Sequence, residues 1–316
     1  MFVAFGDWKA LKAFLYTTFA LIAFAFNSIL CRLALRGEEA DAAGFTAVRL
    51  VAGAITLIVI NYFFGKGGNP SGSEGVSDAA NTQAKNTLPT GRVSAFWLGG
   101  SWLSAFFLFA YAICFSFAYL GLTAGTGALI LFGSVQMTMI SVSLVGGMRP
   151  PVIEWLGLAL AIGGFVYLVF PGLASPPLYS SLLMAAAGAA WGFYTLRGRS
   201  AGDPLANTTG NFVRSVPMIA IAAIPFLSKI HLSNRGILLA VLSGAVTSGI
   251  GYTVWYAALK HHTATRAAVL QLAVPVIAAT TGVLLLDETA TVRLGIAATL
   301  ILGGITLTIV GRKRST

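Results

Sequence analysis

Apolar residues in this chain fall into long runs, broken by short stretches that hold most of the Gly, Pro, Asp and basic residues. A run of roughly 20 apolar residues is long enough to cross the hydrocarbon core of a bilayer as one helix. Ten such runs are predicted, over about 12–35, 42–65, 94–120, 125–147, 150–171, 178–197, 203–228, 235–260, 263–286 and 291–311. Asp41 and Asp203 stand where they would cap the second and seventh helices. Pro150-Pro151 and Pro204 sit in first turns, where a missing amide donor does no harm. Between Lys66 and Arg92 the pattern lapses into Gly, Ser, Asn, Thr and Pro, which predicts a flexible loop rather than a domain.

The runs are not independent of one another. GYTVWYAALKHHTATRAAVLQLAVP from Gly251 is a faint copy of CFSFAYLGLTAGTGALILFGSVQMT from Cys114. Tyr119 corresponds to Tyr256 in these blocks, and Gln136 has its counterpart in Gln271. Arg32 with Arg197, Arg49 with Arg214, and Gly37 with Gly202 share an offset of 165 (197 − 32, 214 − 49). Tyr119 and Tyr256 are offset by 137, and the difference of 28 is about the length of the 66–92 loop. The chain therefore reads as two five-helix units, 1–172 carrying the loop and 173–316 lacking it. Because five is odd, the second unit must enter the membrane the opposite way up.

Composition fixes the solvent. With 57% apolar and 9% charged residues, a chain of 316 residues cannot clothe a water-facing surface. The net charge of +10 is scattered over helix ends, so it does not predict a nucleic-acid partner. With the amino terminus inside, thirteen Lys and Arg fall on the inner side, and only Arg32, Arg36, Lys229, Arg235 and Arg293 on the outer. That bias predicts cytoplasmic termini. Cys31 and Cys114 both lie within apolar runs and read as small buried hydrophobes rather than a disulfide. The charged start at Asp7, Lys9 and Lys12, without a clear cleavage site, predicts a retained first helix.

An inverted pair of helical units is the plan of alternating-access carriers, with the site near the bilayer midplane. AVRLVAGAI (47–55), PVIAATTGVLLLDE (275–288) and LGIAATLILGG (294–304), in that order, resemble the drug/metabolite transporter superfamily, in its ten-helix form built from two EamA domains. The resemblance spans essentially the whole chain. It implies an all-α integral membrane protein whose helices 1–4 and 6–9 surround a central cavity, with 5 and 10 peripheral. It also implies an inner-membrane exporter from a family whose members move amino acids, other metabolites, drugs or nucleotide sugars; two buried arginines and an aromatic wall favour amino acids or related compounds among these. The first half departs from the pattern, since Gly147-Met148-Arg149 stands where the second half has Glu288.

Arg49 and Arg214 fall inside the second and seventh helices, away from any acidic residue in the sequence of the spans. A buried cation is costly unless it meets water, a counter-charge or carbonyls. Each is therefore either a docking point for a carboxylate-bearing small molecule or a tie to a neighbouring helix. Asn27, Gln136 and Gln271 must point inward, as helix glue or as substrate ligands, because an amide facing lipid loses its hydrogen bonds. Trp191, Tyr194 and Tyr252, with Trp102, Tyr111, Trp255 and Tyr256, offer an aromatic wall or plain packing. His261 and His262 read as a solvated turn or a protonatable gate. Pro217, Pro225 and Pro275 read as hinges or ordinary kinks. Gly163-Gly164 and Gly303-Gly304 let helices 5 and 10 pack closely, against the bundle or a second copy as a homodimer.

The spans hold no paired aspartates for intramembrane proteolysis, and no rhomboid-type serine turn with a buried histidine. Nor is there a phosphate loop or metal-ligand cluster. No enzyme, cofactor or metal is expected. Without a glutamate deep in a span, proton coupling is expected to be indirect or absent. The rival reading is a non-transporting membrane subunit or a component of a lipid-linked-sugar flippase.

Overall fold

The structure is a computed structural model that describes residues 8–64, 99–146, 152–170, 172, 175–199, 203–259, 261–262, 267 and 270–312. The expected 66–92 loop and the Pro150-Pro151 start lie outside those residues. The described residues form ten helices: α1 (Trp8–Arg36), α2 (Ala42–Phe64), α3 (Trp102–Ala118), α4 (Ala124–Val145) and α5 (Val152–Val169), then α6 (Leu178–Arg199) and α7 (Pro204–Ala223). A composite α8 follows, made of Asn234–Leu242, Ser243–Ile250 and Gly251–Leu259, and then α9 (Ala273–Leu286) and α10 (Val292–Arg312).

The ends form where the side chains supply what the backbone lacks. Asp41 Oδ1 accepts from the amides of Ala43 (3.0 Å) and Gly44 (2.8 Å), capping α2 as its sequence position predicts. Asp203 caps α7 in the same way, with Pro204 in the first turn. Ser101 and Ser233 cap α3 and the start of α8. Pro217 lies inside α7, and Pro225 falls in the 3₁₀ extension Ile224–Lys229 that ends it.

Six helices are long and apolar enough to cross a membrane, and α3, α9 and α10 carry shorter apolar stretches. The chain is a multi-pass membrane protein. The long α6 falls outside both groups; it packs against α3 and α4, so much of its surface meets protein rather than lipid. The distribution of side chains is that of a protein dissolved in hydrocarbon. Phe14, Phe19, Ile55, Phe63, Trp155 and Leu284 face outward, while Asn27, Thr46, Arg49, Gln136, Thr209 and Gln271 are buried.

The five turns α1–α2, α3–α4, α5–α6, α7–α8 and α9–α10 are tied to one another, so they share one end of the bundle. Asp41 and His231 join two of them through backbone and side-chain bonds (2.9 and 2.8 Å). Arg293 at the start of α10 donates to the carbonyls of Tyr167 and Phe170 at the end of α5. Gly157 and Gly164 bring α5 against α10, whereas Gly163 and Gly303 face open space. In the core α1 packs on α8 and α9, α2 on α7 and α8, and α4 on α6 and α9.

Candidate functional site

At the centre, α1, α2, α3 and α8 meet around one buried cation. Arg49, on α2, is 1% exposed. Its Nη2 donates to the Tyr111 hydroxyl (3.0 Å) and its Nε to Ser248 Oγ (3.4 Å). Its guanidinium lies 5.2 Å from the ring centroid of Tyr111 and 4.9 Å from that of Phe115. Nη1 is buried and makes no hydrogen bond. The ion pairs among the described residues are Arg32–Glu288 and Arg235–Glu39, so no carboxylate pairs with Arg49 there. A guanidinium does not shed its proton in a protein, so the charge remains.

Asn27, on α1, continues the network. Its amide nitrogen donates to the Tyr111 hydroxyl (3.1 Å), and its carbonyl accepts from Ser243 (2.6 Å) and Thr247 (3.1 Å). The latter two belong to a π-helical turn of α8, Ser243–Ile250. A π turn closes its hydrogen bonds over five residues rather than four, which widens the turn. That brings Ser243, Thr247 and Ser248 to one side, toward α1 and α2. Only glycine fits at 244, because a Cβ there would stand 2.1 Å from the Arg49 carbonyl oxygen.

Beside this network lies a small cavity lined by Phe24, Asn27, Tyr111, Phe115, Leu131, Phe132, Trp191 and Tyr252. Its volume is about 10 Å³, room for about one water molecule. Phe24 meets Trp191, Tyr252 and Trp255 edge-on, at 6.4, 5.8 and 5.7 Å between centroids. Trp191 lies 4.7 Å from Tyr252 and 4.9 Å from Tyr111. The Tyr252 hydroxyl is buried without a hydrogen bond. Arg49 does not line the cavity; it stands behind Tyr111 and Phe115.

The structure thus gathers Asn27, Arg49, Trp191 and Tyr252, while Tyr194 lies against Trp191 in a tilted contact at 5.4 Å. The other candidates lie apart from this cavity. Gln136 and Gln271 are buried but do not line it, and Gln136 Nε2 has no partner. Arg214 bonds carbonyls, Gly99 O (2.5 Å) and Gly210 O (3.0 Å), holding α7 to the segment before α3. Trp102 is 61% exposed, outside the wall. His262 Nε2 meets Thr17 Oγ1 at 2.7 Å, and His261 is exposed. Phe24, Phe115 and the Ser243–Thr247–Ser248 trio were not foreseen. The cluster SGAVTSGI, polar and small inside an apolar run, was the available signal for the trio.

A second cluster lies between Tyr111 and the end with the five turns. Tyr111, Phe115 and Tyr119 climb α3 with ring centroids 5.4 and 4.7 Å apart. Arg32 Nη1 donates to the Tyr119 carbonyl (2.8 Å) and its Nε to Glu288 Oε1 (3.2 Å). Glu288 Oε2 accepts the Ala124 amide at the head of α4 (2.8 Å). The two side chains are 13% and 6% exposed, so α1, α9 and the α3–α4 turn are locked together by a nearly dry ion pair.

A helical bundle with an apolar exterior and a polar, aromatic-walled centre is a membrane protein organised around an internal site. The model of the EamA-like transporter family matches residues 178–310. The chain is 42% identical over 301 residues to Uncharacterized protein PA1977 of Pseudomonas aeruginosa, covering 95% of this chain and 96% of that protein. A protein of known crystal structure shares the fold with a TM-score of 0.61, over 95% of this chain and 98% of that one, at 17% identity. The chain belongs to the EamA-like transporter family, in the drug/metabolite transporter superfamily. Members of that family are membrane transporters of small solutes, not enzymes.

Proposed function

We propose that this chain is an inner-membrane carrier that exports a small carboxylate-bearing metabolite, an amino acid or a related compound. It works by alternating access between two inverted five-helix repeats, 1–172 and 173–316, with both termini in the cytoplasm. The observation that carries the reading is Arg49. It is a permanent charge, 1% exposed, with one nitrogen unbonded and no carboxylate paired to it among the described residues. A site that keeps an uncompensated cation in hydrocarbon favours an anion that arrives from outside the protein.

Two further features support the scheme. The cavity draws its walls from α1, α3, α4, α6 and α8, with Arg49 of α2 behind them, while α5 and α10 pack on each other at the side. At about 10 Å³ the cavity holds no metabolite, so this reading takes the structure as a carrier closed around its centre. On this reading the five linked turns face the periplasm, and the Arg32–Glu288 pair is part of the outer closure.

The test is uptake into proteoliposomes over amino acids, related carboxylates and cationic drugs, repeated with Arg49→Ala and Arg214→Ala. At least one carboxylate is expected to be carried by the parent protein and not by Arg49→Ala. Unchanged transport in both variants would remove the docking role.

A further inference from the structure

We infer that the cargo is a monoanionic organic acid with an aromatic or similarly broad apolar body and no free ammonium group, which rests on the carboxylate-docking reading above and replaces its amino acid with a related acid. The inference comes from the direction of the hydrogen bonds around the cavity, not from its shape alone.

Each polar group at the centre has a countable capacity. The Asn27 carbonyl accepts from the Ser243 hydroxyl and shares the single Thr247 hydrogen with the Ser243 carbonyl. Both lone pairs of the Tyr111 oxygen are filled, by Asn27 Nδ2 and Arg49 Nη2, which leaves the tyrosine its hydrogen to give. Arg49 Nη1 can only donate and has no partner, while the Tyr252 hydroxyl makes no bond of full geometry but lies within reach of Tyr111 and Ser248. What the network leaves unspent is donors. The cavity lining contains no carboxylate, and its side-chain carbonyl, on Asn27, is already occupied.

Such a centre accepts a carboxylate and has nothing comparable for an ammonium. In a zwitterionic amino acid the ammonium is one carbon away from the carboxylate. With that carboxylate drawn toward Tyr111, the ammonium would enter a poorly hydrated site under the field of Arg49, where like charges repel more strongly than in water. The same chain with hydrogen in place of the ammonium meets no such repulsion. Its apolar body has Phe24, Trp191 and Phe132 to lie against once the aromatic side chains part.

Three probes with one phenylethyl skeleton separate the charges: 3-phenylpropanoate, phenylalanine and phenethylamine. Calorimetric binding to the purified full-length protein, followed by uptake into proteoliposomes at pH 8 over a protein-free baseline, gives the order. We expect 3-phenylpropanoate to bind at least about tenfold more tightly than phenylalanine, and phenethylamine not to bind. In Arg49→Gln the anion-to-zwitterion ratio should collapse to within about threefold, and Arg49→Lys should restore most of it.

Phenylalanine binding as tightly as 3-phenylpropanoate would overturn the proposal while leaving the carrier reading intact. So would a tenfold preference that persists in Arg49→Gln, which would place the selectivity elsewhere. If Arg49→Gln fails to fold, the three parent-protein affinities decide alone. Failure of the parent protein to bind or move any of the probes would sink both this inference and the central site as the place where cargo docks.

Discussion

Arg49 and Arg214 are paired by the 165-residue offset read from the sequence (214 − 49), and the fold uses them differently. Arg214 is half-buried and gives its hydrogens to Gly99 O and Gly210 O, so it ties two segments together. Arg49 is fully enclosed, bonded to hydroxyls and aromatic faces, with a nitrogen to spare. The difference lies in what each helix meets. Gly210 lets α7 come so close to Gly99 that a carbonyl oxygen is at hand for Arg214. Arg49 faces instead the π turn of α8 and the rings of α3, where its bonds go to hydroxyls and π faces and, among the described residues, to no carboxylate. A cation satisfied by its own chain is structural; one left partly unsatisfied is available to a ligand.

The comparison can be broken at its strongest point first. Arg49→Met should lower transport by about a hundredfold, equivalent to about 2.7 kcal/mol. Its melting temperature should hold or rise, because a buried uncompensated charge is replaced by an apolar side chain of similar reach. Proteoliposome flux and a thermal melt of the same preparation would decide it, and a large loss of stability in this variant would make Arg49 structural after all. Arg214→Ala should do the reverse. Loss of a charged donor to two carbonyls should cost about 1.5–3 kcal/mol of stability, while the KM of the surviving protein stays within about twofold. A raised KM there would put both arginines in the cargo site.

A third arginine sharpens the contrast, because Arg32 has the counter-ion that Arg49 lacks. Glu288→Gln keeps the shape but removes the charge that holds Arg32 against the head of α4. Cys31, wholly buried next to Arg32, then serves as the reporter. In a Cys114→Ser background its labelling by a membrane-impermeant thiol reagent, applied from the side of the five turns, should rise several-fold. No change in labelling would show that this ion pair does not guard the way to the centre.

Much of the architecture was legible in the sequence because membrane helices announce themselves by length and hydropathy. Ten apolar runs became ten helices among the described residues, and Asp41 and Asp203 capped where they stood. The boundaries were poorer. The third helix begins at Trp102 rather than near 94, with 94–98 outside the described residues. Glu288 stands out in the sequence only as a residue the first half lacks, yet it joins three elements, since nothing local in the sequence tells which turns will meet. The aromatic set was visible, but the ring that α1 sets against Trp191 is Phe24, not Phe26, which the 165-residue offset pairs with Trp191 (191 − 26).

What the sequence determined by itself was the solvent, the number of spans and the short supply of charge inside them. Those properties follow from composition and period, which need no partner to be felt. Only the tertiary structure decided which buried polar groups satisfied one another and which were left over. A hydrogen bond is made or missed within a few tenths of an ångström, and that distance is fixed by residues far apart in the chain, as Arg49 and Ser248 are.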